Sequence, residues 1–587
     1  MNITRRKAMT DTVQPSETLE VGSGTTADGT LVLWSGTLEI HAGGTANGTV
    51  VNGGATLVVD AGGTAVDSFL GGLAVENVFG TDINATIAGG AVMNIFNGGK
   101  AIDTTLDGAT QNVYSGGAAS GTTGSGVQAV YDGGIATGTN LSAGAQWVYS
   151  GGVASGSILG NGIYQAVYRG AMVSGTTIAG GQQDVIGLAI DTTMTSGWQF
   201  IGNGGVANNT TMSGGSEYVL AGGTANGTTV RGGSQIVWDG TANHTVVNGG
   251  TQTVLGGGIA ADTVVNSGTQ QVGVYGLAVG TLVNRGGYEV VTSGGVTSGT
   301  VINNGGYEFV SAGGTASGGI IHKGGYEIVS AGGTATNATV YAGGYEVVDT
   351  GGISNNATVL TGGYAMIQVG GLATNMVISA GYQFVYGTAD HTTNLGGTEY
   401  VYGVVDDAVI GNHGKENVMG IANDTVVNSG GVQTVTGGIT NGTIVNSGGV
   451  ELVNSGVANG TIIQGGLAHV AVGGAASNVT FQGEGGTLQL DSSDLFSGQI
   501  AGFGDSDVID LRDIAFSAGT TLGYAADPGN GGGTLTLSDG VHSASLVLLG
   551  QYSAASFALT SDGHGGTTIT ESIAAQQANL APNALAA

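Results

Sequence analysis

Hydrophobic and polar positions repeat along this chain with a long period. From Gln111 to Glu451 a Gln or Glu recurs every 16–19 residues, and a Val or Ile nearly always stands two positions later, as at Val113, Val130, Val148, Val167 and Ile201. Ala365 is the one departure from Gln or Glu in the series. A Gly, usually Gly-Gly, marks the other turn of each unit. The unit from Gly299 holds two short β-prone runs, Thr300–Ile302 and Tyr307–Val310, separated by Gly-rich turns where positive φ costs nothing. One side chain returning at this interval for so long is what stacked coils require, because each coil places the same position above its predecessor. The pattern predicts an all-β parallel β-helix (β-solenoid) of about 25 coils of 16–19 residues, then a small β-rich C-terminal module. The expected boundaries are an N-terminal flexible segment at 1–19, the solenoid at 20–484, the module at 485–571 and a flexible tail at 572–587.

Side chains two apart on a strand share a face. The near-constant Val position is read as interior, which puts the Gln/Glu ladder inside as well. The residue between them (Asn112, Ala129, Trp147, Asp184) varies freely and is read as exterior. Stacked carboxamides can donate to one another's oxygens and so satisfy buried polar groups. Glu289, Glu308, Glu327 and Glu346 follow one another with no Gln between them. Four ionised carboxylates about 4.8 Å apart repel, so the expectation divides between shared protons, side chains splayed into solvent, and a cation such as Ca²⁺ between them.

Parity also predicts an outward stripe. Tyr288, Tyr307, Tyr326, Tyr345, Tyr364 and Tyr382 form one column, and Phe309, Ile328, Phe384 and Tyr400 belong to the next column on the same face. An apolar-aromatic strip of that length exceeds scattered surface exposure and is the candidate binding surface, suited to glycan rings or to another copy of the chain.

Composition narrows the choices. Gly accounts for 120 residues with no Gly-X-Y period, which excludes collagen. The formal net charge of −30, from 10 Lys+Arg against 40 Asp+Glu, argues against nucleic acid and anionic membrane surfaces. There is no Cys, so no disulfide or thiolate metal site exists. No apolar run is long enough to span a membrane. Arg5, Arg6 and Lys7 are followed by no apolar stretch, so a cleaved N-terminal signal is not expected.

The unit Val-x-x-Gly-Gly-x-Gln/Glu-x-Val-x-x-Gly-Gly-x-Ala, clear at Gly249–Gly257 and Gly430–Gly438, resembles the AIDA-type repeat of autotransporter adhesin passengers over residues 20–480. That resemblance implies a right-handed parallel β-helix on the cell surface, often adhesive. Autotransporters end in a β-barrel, which the residues after the coils are not expected to encode. Residues 486–570 instead resemble a C-terminal module of alphaproteobacterial repeat proteins, through Phe496–Gly504, Asp507–Ile514, Leu535–His542, Leu548–Tyr552 and Ser561–Thr567. The second resemblance implies type I secretion with an uncleaved C-terminal signal. The Gly-Gly-x-Gly-x-Asp calcium nonapeptide of RTX proteins does not occur.

Enzymatic chemistry finds little support. A polysaccharide lyase needs a basic proton acceptor beside clustered carboxylates, but Arg231, Arg285 and Lys323 each precede a Gly-Gly turn. A repeated Glu ladder is not the facing pair a glycosidase uses. The eight His lack metal spacing. Asp505, Asp507 and Asp510 are candidate Ca²⁺ ligands, or else turn residues. The recurring Asn-x-Thr (Asn47, Asn226, Asn243, Asn441, Asn459) reads as a glycan acceptor or as a turn followed by a strand. The expected function is contact by a secreted or cell-surface adhesin-like protein, with glycans, proteins or itself as partner and no cofactor beyond Ca²⁺. A structural spacer or surface-layer protein is the alternative, and a polysaccharide-acting enzyme comes third.

Overall fold

The computed structural model describes residues 12–483, 485–504, 506–529 and 531–572. Asp505, residues 1–11 of the expected N-terminal segment and residues 573–587 of the expected tail lie outside the described residues. The chain is an all-β parallel β-solenoid with a small β-rich C-terminal region, and its described helices are two short 3-10 turns at Ser493–Leu495 and Ala554–Ser556. It divides into two units, residues up to 290 with 294–297, and residues 291–293 with 298 onward. Among the described residues no helix is long and apolar enough to cross a membrane.

In the first unit each strand pairs in parallel with its equivalent one coil before and one coil after. Val75–Val78 lies between Thr56–Val59 and Val92–Ile95, with Glu76 beside Leu57 and Met93. Such short strands are unstable alone, and stacking closes their apolar faces over a shared core. Leu38, Ile40, Leu57, Met93 and Ile95 are fully buried there.

The Gly-Gly corners have two separate physical reasons. Gly98 sits at φ +83°, where a side chain is strained. At Gly99 the backbone is ordinary, but a Cβ would lie 2.1 Å from the Val78 carbonyl oxygen of the coil before. One glycine turns the chain and the next lets two coils approach.

In the second unit Tyr326–Val329 lies in register between Tyr307–Val310 and Tyr345–Val348. The coil that begins at Tyr307 carries three strands, not the two the sequence pattern shows. Between Tyr307–Val310 and Ile320–Ile321 stands Thr315–Ser317, stacked on Thr334–Thr336. The pattern hides this strand because it has only three residues and its one inward side chain is Ala, which is depleted in strands. The small side chain fits the corner, and Ala316, Ala335 and Ala373 are buried.

Parallel pairing continues through Thr487–Leu490 onto Val508–Leu511. The topology then turns antiparallel. Thr521–Ala526, Gly532–Ser538 and Ser543–Leu549 form a meander, and Thr567–Glu571 pairs antiparallel with both Val508–Leu511 and Phe557–Ser561. Phe496, Phe503, Phe557 and Ile569 are buried at this end.

Candidate functional site

Inward and outward faces fall as strand parity dictates. Glu308 and Val310 are fully buried, while Tyr307 and Phe309 between and beside them are half-buried on the outer face. In the second unit Tyr307, Tyr326, Tyr345, Tyr364 and Tyr382 stack with ring centroids 4.8–5.4 Å apart. Phe309 stands 6.0 Å from Tyr307, and Phe384 stacks on Tyr400 at 5.0 Å. Ile328 is the register partner of Phe309 and continues its column. Tyr288 belongs to the first unit and is 41 % exposed. The second-unit side chains share one outer face, alternating along their strands with the buried ladder positions.

That ladder is continuous through much of the first unit. Gln128 Nε2 donates to Gln111 Oε1 at 2.8 Å, Gln146 to Gln128 at 2.7 Å, and Gln183 to Gln165 at 2.6 Å. A second rail meets it. Thr122, Thr139, Thr263 and Thr281 each donate a hydroxyl to the carboxamide oxygen eleven residues earlier, at 2.8–3.0 Å. A buried Thr or Ser nine to eleven residues after the ladder Gln recurs from coil to coil, and sequence reasoning passed over it.

The rail also bears on Asn-x-Thr. Thr245 and Thr443, third residues of that triplet, are buried and bonded to Gln235 and Gln433. The Asn amides run along the outside, Asn243 donating to Asn226 at 2.9 Å and Asn459 to Asn441 at 3.1 Å. Both residues of the triplet therefore have structural partners.

Glu289, Glu308, Glu327 and Glu346 are all buried, which removes splaying into solvent from the sequence expectations. Glu346 accepts from Ser354 Oγ at 2.5 Å, and burial holds its carboxyl up at about 7. Burial does the same at Glu416 and Glu451, both at about 7, and holds Glu217 and Glu399 above the usual range. A protonated Glu is a near-isostere of Gln and can donate along the ladder as the amide does. A further buried acid pair, Glu76 and Asp82, went unpredicted. Ser68 donates to Asp82 at 3.1 Å, and burial raises both carboxyls. With a proton on one, the two carboxyls supply each other's hydrogen bond.

The C-terminal candidates have separate surroundings. Asp507 clasps a turn, accepting from the Gly486 and Gly504 amides at 3.0 and 3.2 Å. Asp510 lies 3.5 Å from Arg512 Nε, and burial raises its carboxyl. Among the described residues the groups whose ligand atoms converge are Glu20–Glu39–His41 and Asp390–His391–Asp407, none of them among the sequence candidates. Arg231, Arg285 and Lys323 are exposed at their corners.

The first unit carries an aromatic column of its own that sequence reasoning missed. Phe79, Phe96, Tyr114, Tyr131, Tyr149 and Tyr168 stack at 4.8–5.1 Å with planes within 14°. Each directly follows the last buried Val or Ile of its strand. On one side stands an Asn ladder, Asn94 donating to Asn77 at 3.1 Å and Asn112 to Asn94 at 3.0 Å.

No family model matches the chain, and no curated protein matches it. Among solved structures it is similar to the crystal structure of a TibC-catalysed hyper-glycosylated TibA fragment, at 31% identity, covering 56% of this chain and 96% of that one with a TM-score of 0.27. The two superpose loosely, and the β-solenoid architecture of this chain rests on its own strand register and burial.

Proposed function

We propose that this chain is a secreted or cell-surface, adhesin-like protein whose work is contact, made through aromatic columns on the outside of a β-solenoid. The observation that carries this reading is the outer column Tyr307–Tyr382, five stacked rings in consecutive coils with a second apolar column beside it. Large amphipathic side chains in continuous outward rows are a poor choice for a surface that touches only water. The AIDA-type resemblance of the repeat supports a surface location. The net charge of −30 favours solubility and disfavours nucleic acid. Catalysis fits poorly, since the ladder carboxylates that might pair as acid and base are sealed in the core. Export by a type I route and Ca²⁺ binding at Asp507 or Asp510 belong to the same proposal and rest on sequence alone.

Replacing Tyr307, Phe309, Tyr326 and Ile328 together with Ala tests it. The variant is expected to keep its far-UV circular dichroism and to lose most adhesion to cell-surface material or most self-association in sedimentation. Unchanged binding and association with an intact spectrum would make the solenoid a spacer or surface-layer element instead.

A further inference from the structure

The aromatic column of the first unit forms one wall of an open cleft of about 570 Å³, lined also by Asn97, Ser115 and Asp132 from the neighbouring turns. That volume lies in the range of small-ligand sites. A second cleft of about 590 Å³ shares Phe79 and adds His41, Ala42, Asp60 and Ala61. Together they make a groove across successive coils, with ring edges on one wall and amide, hydroxyl and carboxylate groups on the other.

Stacking hides the faces of the inner rings, which show solvent only their edges. Phe79 is different. It is the first ring of the column, it is 37 % exposed, and the position one coil earlier is Asp60. Its outer face therefore opens into the second cleft, as a platform on which a pyranose ring can stack. The charge of the groove selects among sugars. Neither cleft is lined by Lys or Arg, while Asp60 and Asp132 line them. His41 holds Asp60 at 2.6 Å, and Glu20 lies 3.8 Å from the same imidazole. The whole chain carries 40 acids against 10 basic residues.

The geometry points to this groove as a binding site for an amino-sugar oligosaccharide, one ring stacked on Phe79 and a protonated amine facing Asp132. The assignment deepens the contact reading by naming a ligand class, but at a surface separate from the Tyr307–Tyr382 column. Calorimetric titration of the full chain with a glucosamine hexamer, at a pH where its amines are charged, tests it. The hexamer is expected to bind with an affinity that falls as salt rises. Phe79→Ala should weaken binding about tenfold, the scale of one lost stacking contact with its buried area. Asp132→Asn should weaken binding and flatten the salt dependence. The Tyr307, Phe309, Tyr326 and Ile328 to Ala variant should bind as the parent does, so failure here and failure of the contact reading are told apart. No binding at millimolar hexamer, equal binding of the N-acetylglucosamine hexamer or of a galacturonate hexamer, or an unaffected Phe79→Ala variant would each overturn the assignment.

Discussion

Raising the pH from 4.5 to 8 is expected to destabilise this protein, and Glu451→Gln is expected to remove part of that loss. Glu451 is fully buried, its oxygens accept from Thr440 and Thr461 at 3.0 and 2.9 Å, and burial lifts its carboxyl to about 7. The folded state thus keeps a proton that the unfolded chain gives up near the ordinary Glu value of 4.5. Its contribution is fully present below that value and is lost as pH rises through about 7. The lost stability amounts to about 3 kcal/mol for this one residue at pH 8. Gln imitates the protonated form, so Glu451→Gln should be more stable than the parent by up to that amount at pH 8 and nearly equal at pH 4.5. Glu346 and Glu416 add shifts of the same sign. Denaturant midpoints across this range, for parent and variant, make the measurement. A parent that gains stability as pH rises, or a variant gain independent of pH, would show that the ladder carboxyls are not held protonated.

The second large effect concerns a single rung. Gln128 uses all its capacity, donating to Gln111 and Thr122 and accepting from Thr139 and Gln146 at 2.7–3.0 Å. Gln128→Ala leaves a cavity and strands buried polar groups on both neighbouring coils. It should cost about 3–5 kcal/mol, as large-to-small core changes with orphaned partners do. Gln128→Glu should be far milder at pH 4.5 than at pH 8, because only the protonated acid can still donate. A loss under about 1 kcal/mol for the alanine variant would mean the ladder contributes little beyond a typical single hydrogen bond.

The interior of this fold was legible because it is monotonous. The Gln/Glu interval and the Val two residues later identify one strand and its buried face, and the same parity turns Tyr307 and Phe309 outward. What escaped was less regular or shared between columns. The Thr315–Ser317 strand offers one small inward residue and no alternation to count. Glu76 lies at the start of the Gln/Glu column, where its neighbours Leu57 and Met93 break the series, Asp82 stands between Ala65 and Ala101, and the two acids meet only across a corner. The Phe79–Tyr168 column was hidden because its equivalents one coil beyond either end, Asp60 and Ile186, are not aromatic, so the position carries no rule along the whole chain. A repeat shows a reader its constants, and binding surfaces are made where it varies.

Vertical register is the claim beneath all of this, and paired cysteines test it directly because the chain has no Cys of its own. Asn77, Asn94 and Asn112 occupy one column in consecutive coils. Adjacent strands at about 4.8 Å lie within disulfide reach, whereas two coils apart they do not. Mild oxidation should therefore close a disulfide rapidly in the Asn77→Cys/Asn94→Cys and Asn94→Cys/Asn112→Cys variants and leave Asn77→Cys/Asn112→Cys reduced. Equal rates in all three, or bonding only in the pair that skips a coil, would contradict the stacked coils on which the ladder, the columns and the proposed sites depend.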